Sequence, residues 1–231
     1  MKAIGFDLGE TLICYPNVPL NWSTLYKDAI SRVQTELGVS ASSELQNQAL
    51  EILSRYNTRE NPRDFEVTDT EIFREILKEW GISDDTHLSH AIETFFSYFQ
   101  KDSHLYPDTL STLKTLKERN VKIGVLTDVP YGMDKQFVFR DIRLIQAYID
   151  VIVTSVDVGY RKPRMEGFYF LSEKMGIDPH DMIYVGNENK DIVGANCAGM
   201  KSVLIDRDGG RNQWGQTSTI RNLRELIIGL V

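Results

Sequence analysis

Ala3-Ile4-Gly5-Phe6-Asp7-Leu8-Gly9-Glu10-Thr11 is a short apolar run that stops at an acid and then turns. A run of this kind, without polar alternation, marks a strand buried on both faces. The same texture returns only after Pro107. A helix over 108–119 leads to Val121-Lys122-Ile123-Gly124-Val125-Leu126, and one over 134–146 leads to Val151-Ile152-Val153-Thr154. A helix over 165–175 leads to Met182-Ile183-Tyr184-Val185, and one over 189–198 leads to Lys201-Ser202-Val203-Leu204-Ile205. A last helix over 219–229 closes the pattern. Strands alternating with helices predict a three-layer α/β fold, Rossmann-like, around a parallel sheet.

Between the first strand and Pro107 the chain reads as helical, over 22–37, 42–57, 69–80 and 86–100. Leu25, Ala29, Ile30, Val33 and Leu37 recur at helical spacing, and Gly38 follows as a stop. Thr68 or Asp69, with Glu71 before Ile72 and Phe73, has the pattern of a capping box. Phe95, Phe96, Tyr98 and Phe99 are expected to be packing residues.

Hydrophobic residues make up 42% of the 231 and charged residues 26%, which excludes wholesale disorder. No apolar stretch reaches the length of a membrane span. The N-terminus meets an acid too early for a signal peptide, so a cytoplasmic location is expected. Cys14 and Cys197 are far apart, without metal-type spacing, and fit a reducing compartment. A net charge of −7 with no basic block argues against nucleic acid or an anionic membrane as partner. The pattern does not decide between monomer and homodimer.

A parallel sheet binds ligands at the carboxyl ends of its strands. There the sequence places Asp7, then Thr127-Asp128, then Arg161-Lys162-Pro163, then Gly186-Asn187-Glu188-Asn189-Lys190-Asp191. An acid, a hydroxyl, a lysine and a second acid at one edge suit phosphoryl transfer through an aspartyl-phosphate. A carboxylate cannot approach an anionic substrate unless cationic charge is supplied.

These four motifs, in order and over the whole chain, resemble those of the haloacid dehalogenase-like hydrolases with a helical cap after the first motif. Phe6-Asp7-Leu8-Gly9-Glu10-Thr11-Leu12 resembles motif one and Val125-Leu126-Thr127-Asp128 motif two. Arg161-Lys162-Pro163 resembles motif three and Val185 to Ala195 motif four. The resemblance implies a core of residues 1–14 and 105–231 and an all-helical cap of residues 15–104. It makes Asp7 the nucleophile and a Mg²⁺ ligand. Thr127 and the Asp128 backbone N–H would bind phosphate, and Lys162 would neutralise charge. Gly9 (through its carbonyl), Asn187 and Asp191 would complete the metal site.

Two positions depart from the family's phosphatases. Gly9 stands where those enzymes carry an Asp general acid–base, and Glu10 follows it. Such a loss costs about 10²–10⁴ in rate, or about 3–5 kcal/mol of barrier. Glu10 could substitute, the substrate could carry a good leaving group (an acyl or aryl phosphate), or the hydrolase could be weak. Asn187 replaces a more usual Asp, which removes one ligand charge. The leading expectation is a Mg²⁺-dependent phosphatase of a small phosphorylated metabolite. The alternatives are a phosphotransferase or mutase, a dehalogenase, and a catalytically silent binding module. Loop 15–21 and Arg59 and Arg63 are candidate cap contacts to an anionic substrate tail. His87, His90 and His104 read as surface residues, and Gly209-Gly210 and Asp206-Arg207-Asp208 as turn chemistry.

Overall fold

The structure is a computed structural model that describes residues 2–210 and 212–228. Met1, Arg211 and Gly229–Val231, all within the expected core segments and the last including the end of the expected final helix, lie outside the described residues. The strands are β1 (Ala3–Phe6), β2 (Ile13–Cys14), β3 (His104–Leu105), β4 (Lys122–Thr127), β5 (Val151–Thr154), β6 (Met182–Gly186), β7 (Lys201–Ile205) and β8 (Ser218–Ile220). Six of them form one sheet in the order β5-β4-β1-β6-β7-β8, with every pairing parallel.

The helices are α1 (Tyr26–Glu36), α2 (Ser43–Tyr56), α3 (Asp69–Glu79), α4 (Asp85–Gln100), α5 (Thr109–Glu118), α6 (Lys135–Asp141), α7 (Ser155–Val158), α8 (Met165–Met175), α9 (Asn189–Cys197) and α10 (Arg224–Ile228). Successive residues of a strand face opposite sides. Ile4, Phe6, Ile123 and Val125 therefore pack with Leu113 and Leu116 of α5, while Ala3, Leu126 and Tyr184 pack with Phe168 and Leu171 of α8. This makes three layers, α/β/α.

The first four helices lie between β2 and β3, which pair antiparallel through Ile13–Leu105 and Cys14–His104. The capping box of α3 is present, with the Thr68 hydroxyl accepting from the Glu71 N–H and the Glu71 carboxylate from the Thr68 N–H. Phe95, Phe96 and Phe99 are buried in the insertion. Trp22–Leu25, expected as the first turn of an α-helix, is a 3₁₀ turn capped by the Asn21 side chain.

Two further expectations are corrected. The helix expected over 134–146 ends at Asp141, and a turn follows. That break lets Ile142 and Ile145 both bury completely. The helix expected over 219–229 begins at Arg224, because Ser218–Ile220 pair with Val203–Ile205 as the edge strand of the sheet. No helix among the described residues is long and apolar enough to cross a membrane.

Candidate active site

Lys162 is the centre of the strand-end cluster. Its ammonium, 1% exposed, donates to Asp7 Oδ1 at 2.6 Å and to Asp191 Oδ1 at 2.6 Å. It also reaches the Tyr184 hydroxyl at 3.2 Å and the Leu126 carbonyl at 3.3 Å. A buried ammonium is tolerable only with such partners. The two flanking carboxylates hold its pKa well above the usual lysine value, against the opposing effect of burial.

Glycine makes this density of groups possible. A Cβ on Gly186 would lie 2.4 Å from Asp191 Cβ, so only glycine there admits Asp191. A Cβ on Gly5 would lie 2.8 Å from the Tyr184 ring and 2.9 Å from Leu171. Tyr184 in turn donates to the Leu126 carbonyl at 2.7 Å. The strand ends are thus tied to one another through one lysine and one tyrosine.

Asp7 is buried, and its N–H donates to the Val185 carbonyl at 2.8 Å. Burial pushes its carboxyl up to about 7. Lys162 pulls it down, and Asp191 adds to the rise. Thr127 is also buried, and its hydroxyl has no hydrogen-bond partner among the described residues. Asp128 accepts from the Lys162 N–H at 3.0 Å and pairs with Lys190 at 3.0 Å. Burial alone would raise Asp128, but Lys190, Lys162 and Arg161 outweigh it and hold the carboxyl at about 2.

Asp7 Oδ2, the Gly9 carbonyl and the Thr11 hydroxyl all lie 3.3 Å from one atom of the Asn187 amide. With nitrogen turned to them, that amide donates to all three. With oxygen turned to them, it adds another hard donor to a carboxylate and a carbonyl. Neighbouring oxygens of an octahedral Mg²⁺ are about 3 Å apart, given Mg–O near 2.0–2.1 Å. The donor set therefore fits a hard divalent cation after a small contraction. It is a sparse set. Both Asp191 oxygens are committed, to Lys162 and to the Glu188 N–H at 2.9 Å. Among the described residues no group of three or more His, Cys, Asp or Glu side chains forms a metal cage.

Glu10 takes a left-handed backbone conformation, φ 56°. Its carboxylate lines the cavity beside Asp7 and accepts from the Tyr106 hydroxyl at 2.5 Å. The Arg207 guanidinium stacks 3.7 Å over the Tyr106 ring, pairs with Asp108 and donates to the Thr11 carbonyl. Arg207 thus pins the motif-one loop, a role that turn chemistry did not suggest.

The insertion closes over the strand ends by polar contacts. Arg59 pairs with Glu188 at 2.6 Å. Arg63 faces inward, donating to the Tyr56 carbonyl and to Glu66. Glu66, buried, also receives Arg161 and the Ser155 hydroxyl. Its neighbour Phe65 bridges Tyr160 beside motif three. Sequence reasoning missed Tyr184, Lys190 and Glu66. Tyr184 read only as one apolar residue of a strand, and Glu66 had no local pattern. Lys190 stood inside motif four and had a signal, a cation among acids, that was not used.

A family model described as haloacid dehalogenase-like hydrolase matches residues 35–205. The chain is 30% identical to the glyceraldehyde 3-phosphate phosphatase of Methanopyrus kandleri, over 90% of this chain and 84% of that one. A protein of the same name from Methanothermobacter thermautotrophicus is 32% identical over 59% of this chain and 67% of its own. Among solved structures, a phosphatase from Thermococcus onnurineus aligns at a TM-score of 0.67 and 25% identity, covering 100% and 98% of the two chains. A 2-haloacid dehalogenase from Pseudomonas syringae aligns at 0.71 and 24%, with the same coverage, which is a likeness of fold.

Proposed function

The chain belongs to the haloacid dehalogenase-like hydrolases, and on that premise we propose that it is a Mg²⁺-dependent phosphatase of a small phosphorylated metabolite. The observation that carries this reading is the Lys162 ammonium shared by Asp7 and Asp191 beside the unpartnered Thr127 hydroxyl. A nucleophile, a charge neutraliser and a free phosphate donor stand together at the strand ends. The near full-length likeness to glyceraldehyde 3-phosphate phosphatases supports phosphoric monoester hydrolysis.

In this mechanism the Asp7 carboxylate attacks phosphorus as the P–O bond to the leaving group breaks. Lys162 and the Thr127 hydroxyl hold the phosphoryl oxygens, and the Asp128 N–H adds a donor. Water then splits the acyl phosphate, returning the Asp7 carboxylate and releasing hydrogen phosphate and a proton. Asp7, the Gly9 carbonyl and the Asn187 amide oxygen would hold Mg²⁺, with Asp191 holding it through a water. When bound, the ion would supply positive charge that offsets the repulsion of nucleophile and substrate. The helical insertion serves as the cap that excludes water from the site.

The test is phosphate release from acetyl phosphate and p-nitrophenyl phosphate, with and without Mg²⁺. Metal-dependent release that Asp7→Asn abolishes is the expected result. Silence on both substrates overturns the reading in favour of a binding module. Chloride release from a 2-haloacid without Mg²⁺ overturns it in favour of a dehalogenase. Glu10→Gln, assayed on an aliphatic phosphate ester, tests the first of the three accounts of the missing acid. Slower turnover assigns Glu10 the proton transfer, and unchanged turnover removes that role.

A further inference from the structure

The cavity that opens on Asp7 has a volume of about 180 Å³ and runs between the strand ends and the insertion. Its far wall is aromatic. Trp22 stacks on Phe99 with centroids 3.9 Å apart and lies 5.7 Å from the Tyr131 ring. Val18 and Leu20, from loop 15–21, continue the apolar lining, and Leu20 is 60% exposed. Tyr131 is held at φ 52°, a conformation that costs a bulky residue energy and recurs at ligand-binding positions.

Most of the polar groups of that wall are already hydrogen-bonded within the protein. Asn57 donates to Asn21 and to the Tyr26 hydroxyl, which also bonds the Tyr131 hydroxyl. Gln100 donates to the Phe137 carbonyl and to Asp141, which accepts from Tyr15 as well. Arg59 is engaged by Glu188. A polyhydroxylated leaving group would give up its water here and find few partners, a loss that buried polar groups do not recover. An apolar ring gains by burial and by edge and face contacts with Trp22 and Tyr131. An apolar cavity of about 150 Å³ is known to accept benzene; the volume here also includes the Asp7 end, so the apolar part holds one ring at most.

A second observation points to the same class. Gly9, two residues after Asp7, has no side chain and so offers a leaving group no proton. A phenol leaves as the phenolate far more readily than an aliphatic alcohol leaves as an alkoxide. We propose that the leaving-group pocket is built for an aryl ring and that the substrate is a phenolic phosphate monoester. This rests on the phosphatase reading above. The ring oxygen–phosphorus bond breaks as the bond from Asp7 to phosphorus forms. The phenolate leaves as the anion and takes up the proton released when water splits the acyl phosphate.

Phosphonates separate binding from leaving-group chemistry, because their C–P bond is not cleaved. Phenylphosphonate and methylphosphonate would be compared as inhibitors of Mg²⁺-dependent acetyl phosphate hydrolysis. One methylene in a fitted pocket is worth about 10–200-fold, so phenylphosphonate should inhibit at least tenfold more tightly. Trp22→Ala should narrow that ratio, and the milder Leu20→Ser should narrow it less. If Trp22→Ala does not fold, Leu20→Ser alone carries the comparison. Equal inhibition by the two phosphonates overturns the proposal, as does a higher kcat/KM for glyceraldehyde 3-phosphate than for phenyl phosphate. If no ester is hydrolysed at all, the phosphatase reading fails instead. The pocket is then read by calorimetric titration of the two phosphonates with Mg²⁺, where equal affinity still overturns the aryl assignment.

Discussion

The Lys162 cluster and the seam under the helical insertion use the same kinds of charge at different depths. At the strand ends Lys162 is 1% exposed and Asp191 is fully buried. At the rim Arg59 is 42% exposed and its partner Glu188 22%. Between them lies Glu66, 2% exposed, with Arg161 at 7% and Arg63 at 9%. A rim pair is screened by water and contributes little. A buried pair is strongly missed when one member goes, because the other is left charged in a poor solvent. Depth, rather than the number of ion pairs, therefore separates the residues that hold the site together from those that only touch across it.

Four measurements sharpen that contrast. Lys162→Met leaves two buried carboxylates without their cation, so unfolding in urea should show a loss near the upper end of about 3–5 kcal/mol. Glu66→Gln leaves Arg161 and Arg63 without an anion and should cost about 3 kcal/mol, at the lower end of the same range. A loss from Glu66→Gln as small as that of a surface pair would break the comparison.

Asp128 gives a pH dependence. Its folded carboxyl titrates at about 2, below the ordinary 3.8. A depressed acid contributes stability above its unfolded pKa and loses it as pH falls through the folded one. At about 1.36 kcal/mol per unit, Asp128 should supply about 2 kcal/mol that disappears between about pH 4 and pH 2. Asp128→Asn should flatten the stability profile in that window, as followed by thermal melts. The smallest effect is expected for Arg59→Ala, under about 1 kcal/mol and shrinking further with added salt.

Much of the fold was legible in the sequence because strands buried on both faces must read as unbroken apolar runs. The runs ending at Asp7, Thr127, Thr154, Val185 and Ile205 each became a parallel strand. Helix limits carried by caps were also readable, as at Thr68 and Glu71. Ser218–Ile220 was not, since three residues with two exposed carry no period, and only the free edge of β7 makes them a strand. The end of α6 was not readable either, because it depends on where Ile142 and Ile145 find the core.

For the site, the linear motifs determined which residue types stand at the strand ends: Asp7, Thr127, Lys162, Asn187 and Asp191. Short-range pattern suffices there because each lies at the end of a strand or in the segment that follows it, and parallel strands bring those ends to one edge. Tertiary structure alone decided who partners whom. It turned Tyr184 under Lys162, paired Asp191 with Lys162, and tied Glu10 to Tyr106. It also brought Trp22 and Phe95 from the insertion against Tyr131. These contacts join residues up to 155 positions apart, as Asp7 and Lys162 are. Their geometry follows from packing whole layers together, which no local window of sequence contains.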